Sequence, residues 1–227
     1  KYKKMKEIAV IGAFVGIAAA IRWYHFRFPK SSDHKASVDF ASVLSRLPAK
    51  MLRSDLVQLR VADMSSFDDI WRTVNKAYEC ETGTTGIAFK KDDRFVARQE
   101  LEPSLSQGRV IAAMSNSSSG GQTILGCITV EVQVGDDGQR ELHFGPFAVS
   151  DVAQGQGIGS MLLKAAEAIA TQLKCARVTL GTVNHRADLF GFYEKRGFKQ
   201  TGIAPFPEYA KHRLSRPAHF VTMAKQL

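Results

Sequence analysis

Residues 147–167 read FAVSDVAQGQGIGSMLLKAAE, and the run Gln154-Gly155-Gln156-Gly157-Ile158-Gly159-Ser160 at their centre decides the fold. It follows a strand-like end, Phe147-Ala148-Val149, and opens an amphipathic stretch, Ile158–Leu173. In that stretch Leu162, Leu163, Ala166, Ile169, Ala170 and Leu173 share one helical face. Glycines at alternate positions let a backbone approach a ligand closely and aim successive N–H groups into one concavity. The helix that follows adds its positive N-terminal end, so the turn suits a diphosphate. Two common phosphate sites do not fit. A dinucleotide-binding unit wants GxGxxG and an acid about 20 residues on. Here the glycines are Gly155, Gly157 and Gly159, and no acid closes the next strand, Val178–Thr182. The Lys-Ser/Thr pair of a P-loop is absent too.

Working outward, alternation predicts strands at Leu56–Val61, Val110–Met114, Ile124–Val134 and Glu141–Val149. Gly135-Asp136-Asp137-Gly138 closes the last two into a hairpin. Ser65-Ser66 with Asp68 and Asp69 opens a helix over Phe67–Tyr78, with Ile70, Trp71, Val74 and Tyr78 on one side. Arg98–Leu105 reads as a second helix interrupted by Pro103, and Ala187–Arg196 as a third stopped by Gly197. Phe198–Thr201 and Phe220–Met223 are the last strands. The order predicts an α+β domain, a mixed central sheet with flanking helices.

Two blocks in this order carry a resemblance. Gln154, Gly157 and Gly159 match the Q/R-x-x-G-x-G/A motif of the GNAT N-acetyltransferase superfamily, and Tyr193…Gly197-Phe198, inside Arg186–Phe198, match its Tyr-x-x-x-Gly-Phe block. The region that resembles the family is about 56–227, with Thr201-Gly202 and Pro205-Phe206-Pro207 as in a subgroup with unassigned small substrates. The resemblance implies acetyl-CoA bound in a V-shaped splay between two central parallel strands. It places the coenzyme diphosphate on amides of the Gln154, Gly155, Gln156, Gly157, Ile158, Gly159, Ser160 turn. It places the pantetheine along Phe147, Ala148 and Val149, and an oxyanion at an N–H near Val149. It makes Tyr193 the acid for the leaving thiolate; a phenol with a pKa of about 10 has suitable strength. Glu141 and His143, two apart on one strand face, are candidate bases for an amine of unknown identity. Asn184 is the candidate near the thiol, with His185 beside it.

The chain has 227 residues and a net charge of +9. Residues 1–30 hold seven Lys/Arg against Glu7, so the remainder is only mildly basic; this argues against a nucleic-acid partner. Cys80, Cys127 and Cys175 stand alone, so no metal site is expected. Residues 8–21 read IAVIGAFVGIAAAI between Lys6 and Arg22, followed by Trp23, Tyr24, Phe26 and Phe28. That pattern predicts a retained transmembrane helix over 5–28, with snorkelling cations and an aromatic belt. Gly12 and Gly16 would admit a partner helix. Residues 5–45 resemble the small single-span plant-type subunit Vc of cytochrome c oxidase, through Lys6-Glu7-Ile8, Gly12, Gly16-Ile17-Ala18-Ala19, Trp23, His25 and Ala36…Asp39. That resemblance implies a place in the mitochondrial inner membrane beside larger partners; a first residue other than Met fits a mitochondrial presequence removed upstream and fits a shortened chain equally. The expected organisation is an anchor at 1–29, a linker with a short helix at 30–54, and a folded domain at 55–227. The two functional readings are a membrane-anchored acetyltransferase, and a structural accessory subunit of a respiratory complex.

Overall fold

The computed structural model describes residues 38–52, 56–79, 98–116, 122–206, 208, 211, 214 and 216–227. The predicted anchor at 5–28, with Gly12 and Gly16, lies outside the described residues. Among those described, no helix is long and apolar enough to cross a membrane.

The described elements are α1 (Phe40–Ser45), α2 (Ala49–Leu52), β1 (Val57–Val61), α3 (Phe67–Glu79), α4 (Arg98–Ser106), β2 (Val110–Ser115) and β3 (Ile124–Val134). They continue with β4 (Arg140–Val149), α5 (Ile158–Gln172), β5 (Arg177–Val183), α6 (Ala187–Glu194), β6 (Lys199–Pro205) and β7 (His219–Gln226). The strands form one sheet in the order β1-β2-β3-β4-β5-β7-β6. Every neighbouring pair is antiparallel except β4–β5. Pro103 lies inside α4, which runs on to Ser106, so the predicted interruption does not occur.

Two cores cover the two faces of the sheet. On one, α5 buries Leu162, Leu163, Ala166, Ile169 and Ala170 against Ile111, Ile128, Leu142, Val178 and Met223. This is the face that the helical spacing selected. On the other, α3 and α4 bring Phe67, Ile70, Val74, Leu101 and Leu105 onto Val110, Ala112 and Ala148. Gly126 of β3 permits the tight join to β4, because a Cβ there would sit 2.8 Å from Ala148 O.

The linker expectation for 30–54 needs correction where the structure describes it. Asp39 caps α1 by accepting from Ser42 N. Phe40, Val43, Leu44 and Leu47 are buried in the same core as α5. The folded unit therefore starts by Val38, and α1 is a wall of it.

At one end of the β4–β5 pair the strands are clamped. Glu141, 4% exposed, accepts from Arg177 Nε at 2.6 Å and from Gln133 Nε2 at 2.7 Å. Arg177 also holds Asp137 in the β3–β4 hairpin, at 2.6 and 2.9 Å. Its hydrogen bonds hold the Asp137 carboxyl at about 2. We expect Arg177→Ala to cost about 3–5 kcal/mol in urea unfolding, because it leaves a buried carboxylate unpaired. A depressed carboxylate contributes stability above its unfolded pKa and loses it as pH falls through the folded one. The part of the difference between wild type and variant that runs through Asp137 should therefore be present above about pH 4 and be lost on further acidification.

Candidate active site

The parallel pairing of β4 and β5 lasts three residues: Glu141 faces Arg177, Leu142 faces Val178 and His143 faces Thr179. The strands then part. The cause lies on the other edge of β4. Phe144 pairs with Val130 and Phe147 with Ile128, so Gly145 and Pro146 together oppose Thr129. Two residues against one make a bulge, which bends and twists its strand. Pro146 has no N–H to give to a ladder, and Gly145 sits at φ 147, where glycine is favoured. Beyond His143, the β4 edge that faces β5 has no strand partner.

A cavity of about 890 Å³ opens in that gap. Phe147, Ala148 and Val149 form one wall, and Leu180, Gly181, Thr182 and Val183 of β5 the other. Gln154, Gly155, Gly157, Ile158, Gly159 and Ser160 close one end. Gly155 and Gly157 have φ of 76 and 83, and a Cβ at either would meet nothing within 4 Å. Glycine is needed there for conformation, and the space above it is open. Gly157 caps α5 without a side chain, so the first-turn amides receive no acceptor from their cap. Those amides and the helix dipole make the cavity's end positive. Gln156 does not line the cavity; its side chain turns back to donate to Val152 O at 2.7 Å. Gln154 Nε2 donates to Val149 O at 3.4 Å and ties the turn to the end of β4.

Tyr193 reaches the cavity from α6 and is 5% exposed. Its ring lies 5.2 Å from Phe192, 5.8 Å from Phe198 and 6.0 Å from Phe144, centroid to centroid. Burial pushes the phenol well above its ordinary pKa, and Tyr78 adds to this, while Arg186 and Arg196 oppose it. The hydroxyl is thus held protonated at neutral pH. Tyr78 comes from α3, on the opposite face, and donates to Phe147 O at 3.4 Å. The two phenols approach the gap from opposite sides of the sheet.

Arg196 is a lining residue that the sequence reading did not single out. Its guanidinium lies 3.6 Å from the Phe192 ring centroid and donates to Phe192 O and Ser160 Oγ, both at 2.7 Å. Among the described residues it has no carboxylate partner, whereas Arg186 is paired with Asp188. The sequence signal was a cation in the Tyr193–Phe198 block; its contact with Ser160, 36 positions away, is a property of the fold.

Four other candidates are not brought to the cavity. Glu141 is committed to Arg177 and Gln133 in the clamped end, so the geometry gives it a structural role in place of the expected base. His143 does share its face, as the spacing required. Thr179 Oγ1 lies 3.2 Å from His143 Nδ1 and 3.4 Å from Glu141 Oε1. Both sit on the paired part of β4, before the gap. Asn184 joins β5 to β7, exchanging hydrogen bonds with the His219 backbone at 3.0 and 3.1 Å. His185 Nε2 is 2.8 Å from Pro217 O. Among the described residues, no group of His, Cys, Asp and Glu is placed to hold a metal ion.

Residues 70–198 match the model of the acetyltransferase (GNAT) family. The chain belongs to that family. Its GNAT domain is similar to the uncharacterized protein YdhI of Bacillus subtilis (strain 168), 30% identical over 82 residues, which are 36% of this chain and 47% of that protein. The match thus spans about half the length of that relative. Among solved structures, mosquito arylalkylamine N-acetyltransferase like 5b shares 15% identity over 75% of this chain and 100% of its own, with a TM-score of 0.58. The PaiA N-acetyltransferase of Thermoplasma acidophilum, solved in complex with coenzyme A, shares 14% identity over 75% and 99%, with a TM-score of 0.56. At these identities the likeness is one of fold. The mixed seven-stranded sheet with helices on both faces is the GNAT fold expected from the two motifs.

The turn's conformation gives a prediction. Gly157→Ala should destabilise the GNAT domain by about 1–2 kcal/mol, because a left-handed residue gains a Cβ. Gly159→Ala should be neutral within about 0.5 kcal/mol, since its Cβ would meet Phe147 and Val149 at 3.4 and 3.6 Å inside a helix. Thermal melts of the two variants distinguish a conformational requirement from a steric one.

Proposed function

We propose that this domain transfers an acetyl group from acetyl-CoA to an amine. The observation that carries the reading is the gap between β4 and β5, flanked by a glycine turn with open amides at one end and a buried, protonated Tyr193. The fold likeness to a protein solved with coenzyme A supports it. The residues present suit the coenzyme on their own chemistry. Gly155, Gly157, Ile158, Gly159 and Ser160 offer amides and a helix N-terminus to a diphosphate, and Arg196 adds a preorganised cation beside them. The edge at Phe147–Val149, which has no strand partner and only the 3.4 Å side-chain bonds from Tyr78 and Gln154, offers backbone groups to amides laid along it, as a strand would.

Acetyl-CoA supplies an activated thioester that an amine attacks directly. The amine nitrogen bonds to the acetyl carbon, the carbon–sulfur bond breaks, and its electron pair stays on sulfur. Tyr193 holds the proton that the sulfur takes up, and the proton lost by the amine restores the phenol. Burial keeps the phenol neutral, so the proton is still on its oxygen when charge develops on the sulfur beside it. Neither Glu141 nor His143 reaches the cavity, so neither is given the amine's proton.

Calorimetry of the full chain with coenzyme A should show binding, and Gly157→Asp should abolish it by placing a carboxylate where the diphosphate sits. Tyr193→Phe should lower kcat by about 10²–10⁴-fold while leaving coenzyme A affinity unchanged. A folded protein that ignores coenzyme A at millimolar concentration would contradict the reading.

We further propose that the domain works at a membrane, with the 8–21 apolar segment and its Lys6 and Arg22 flanks as anchor, and place it at the mitochondrial inner membrane. What supports this is the sequence alone. The family match begins at residue 70, and no specific observation favours the respiratory-subunit reading of residues 5–45. The expected outcome of carbonate extraction is retention in the membrane pellet; release into the supernatant would remove the anchor.

A further inference from the structure

The cavity has two faces, and their chemistry differs. Directly opposed residues on neighbouring strands share a face of the sheet. Leu180 opposes Met223 and Thr182 opposes Val221, and Leu180, Met223 and Val221 belong to the core under α5. Val183 opposes Phe220 and therefore lies on the other face, the side of α3. Phe206, just after β6, stacks on Phe220 with centroids 5.1 Å apart and an interplanar angle of 16°. Val183, Phe206 and Phe220 pack as one cluster, and all three line the cavity together with Tyr78 and Ala77 of α3. The charged lining residues, Arg186, Asp188 and Arg196, belong to α6 and its flanks, and Arg196 reaches Ser160 at the glycine turn. Among the described residues, the α3 side of the cavity carries no charge.

The donor's diphosphate and the acceptor's body thus meet different surfaces. We propose that the acceptor is a primary amine on a flat, aromatic body, which lies against the Phe206–Phe220 stack and sends its nitrogen into the gap between Tyr78 and Tyr193. This rests on the acetyl-transfer reading and names the substrate class for the same site. A flat apolar wall rewards a flat apolar ligand through buried area and ring stacking. Among the described residues the same wall offers a second ammonium ring faces and no carboxylate, so the lost hydration of that charge weighs against it. The step is the one already given: nitrogen bonds to the acetyl carbon, sulfur leaves with the electron pair and takes the Tyr193 proton, and the amine's proton restores the phenol.

The test is thiol release by the full chain from acetyl-CoA, with 2-phenylethylamine and tryptamine set against n-butylamine and spermidine. The aromatic amines should have the highest kcat/KM. Phe220→Ala should raise KM for them about 10-fold or more. Phe220→Leu, which keeps apolar volume and loses the flat face, should raise KM in the same direction with kcat and coenzyme A affinity nearly unchanged. A preference for spermidine, or Phe220 variants that slow all four amines equally, would overturn the proposal while acetyl transfer stands. Binding of coenzyme A with no turnover of any aromatic amine would overturn it too. Failure to bind coenzyme A would remove the acetyl-transfer reading and this inference with it.

Discussion

Gly145 and Pro146 stand together against the single residue Thr129, and the bend this forces on β4 sets the geometry of everything that follows. A sheet whose central strands stayed paired would have no room between them. Here β4 keeps its partner β3 along its length and gives up β5 after His143. Two of the cavity's walls are therefore strands, held in place by the sheet they belong to. Placing a site on strand ends rather than on a loop fixes the positions of the groups that act in it.

The opposite end of the same strand pair explains why the bend opens a gap instead of slipping the register. Arg177 binds Glu141 inside and Asp137 at the hairpin, across the start of β4 and β5. One ion pair is buried and depends on its partner; the other is half exposed and adds little alone. Together they close the strands at one end while the bulge parts them at the other. The positive turn, the Arg196 cation and the buried phenol then gather around the open end. The α3 face contributes Tyr78 and the aromatic stack, and the two chemistries meet only where the strands have parted.

Much of this was legible in the residues. The glycine run before an amphipathic helix specified both the turn and the face that α5 buries. The Asp-Asp-Gly turn specified the hairpin, and the Tyr193 block placed a phenol at the site. What escaped was long-range. The spacing of Phe40, Val43, Leu44 and Leu47 showed an apolar face, but nothing local said that α5 would cover it, so α1 read as part of a linker. Glu141 looked like a base because of its strand position. Its commitment to Arg177 depends on a parallel pairing across a whole helix. Asn184 read as a coenzyme contact, and it serves instead to hold β7. Arg196 went unmarked because its value lies in facing Ser160.

Backbone hydrogen exchange of the full chain, with and without coenzyme A, tests the central claim most directly. Slower exchange is expected at the amides of Gly155–Ser160 and along the unpaired edge of Phe147–Val149, with the clamped residues Glu141–His143 unchanged. Protection that falls elsewhere, with the glycine turn exchanging as freely as before, would contradict the account.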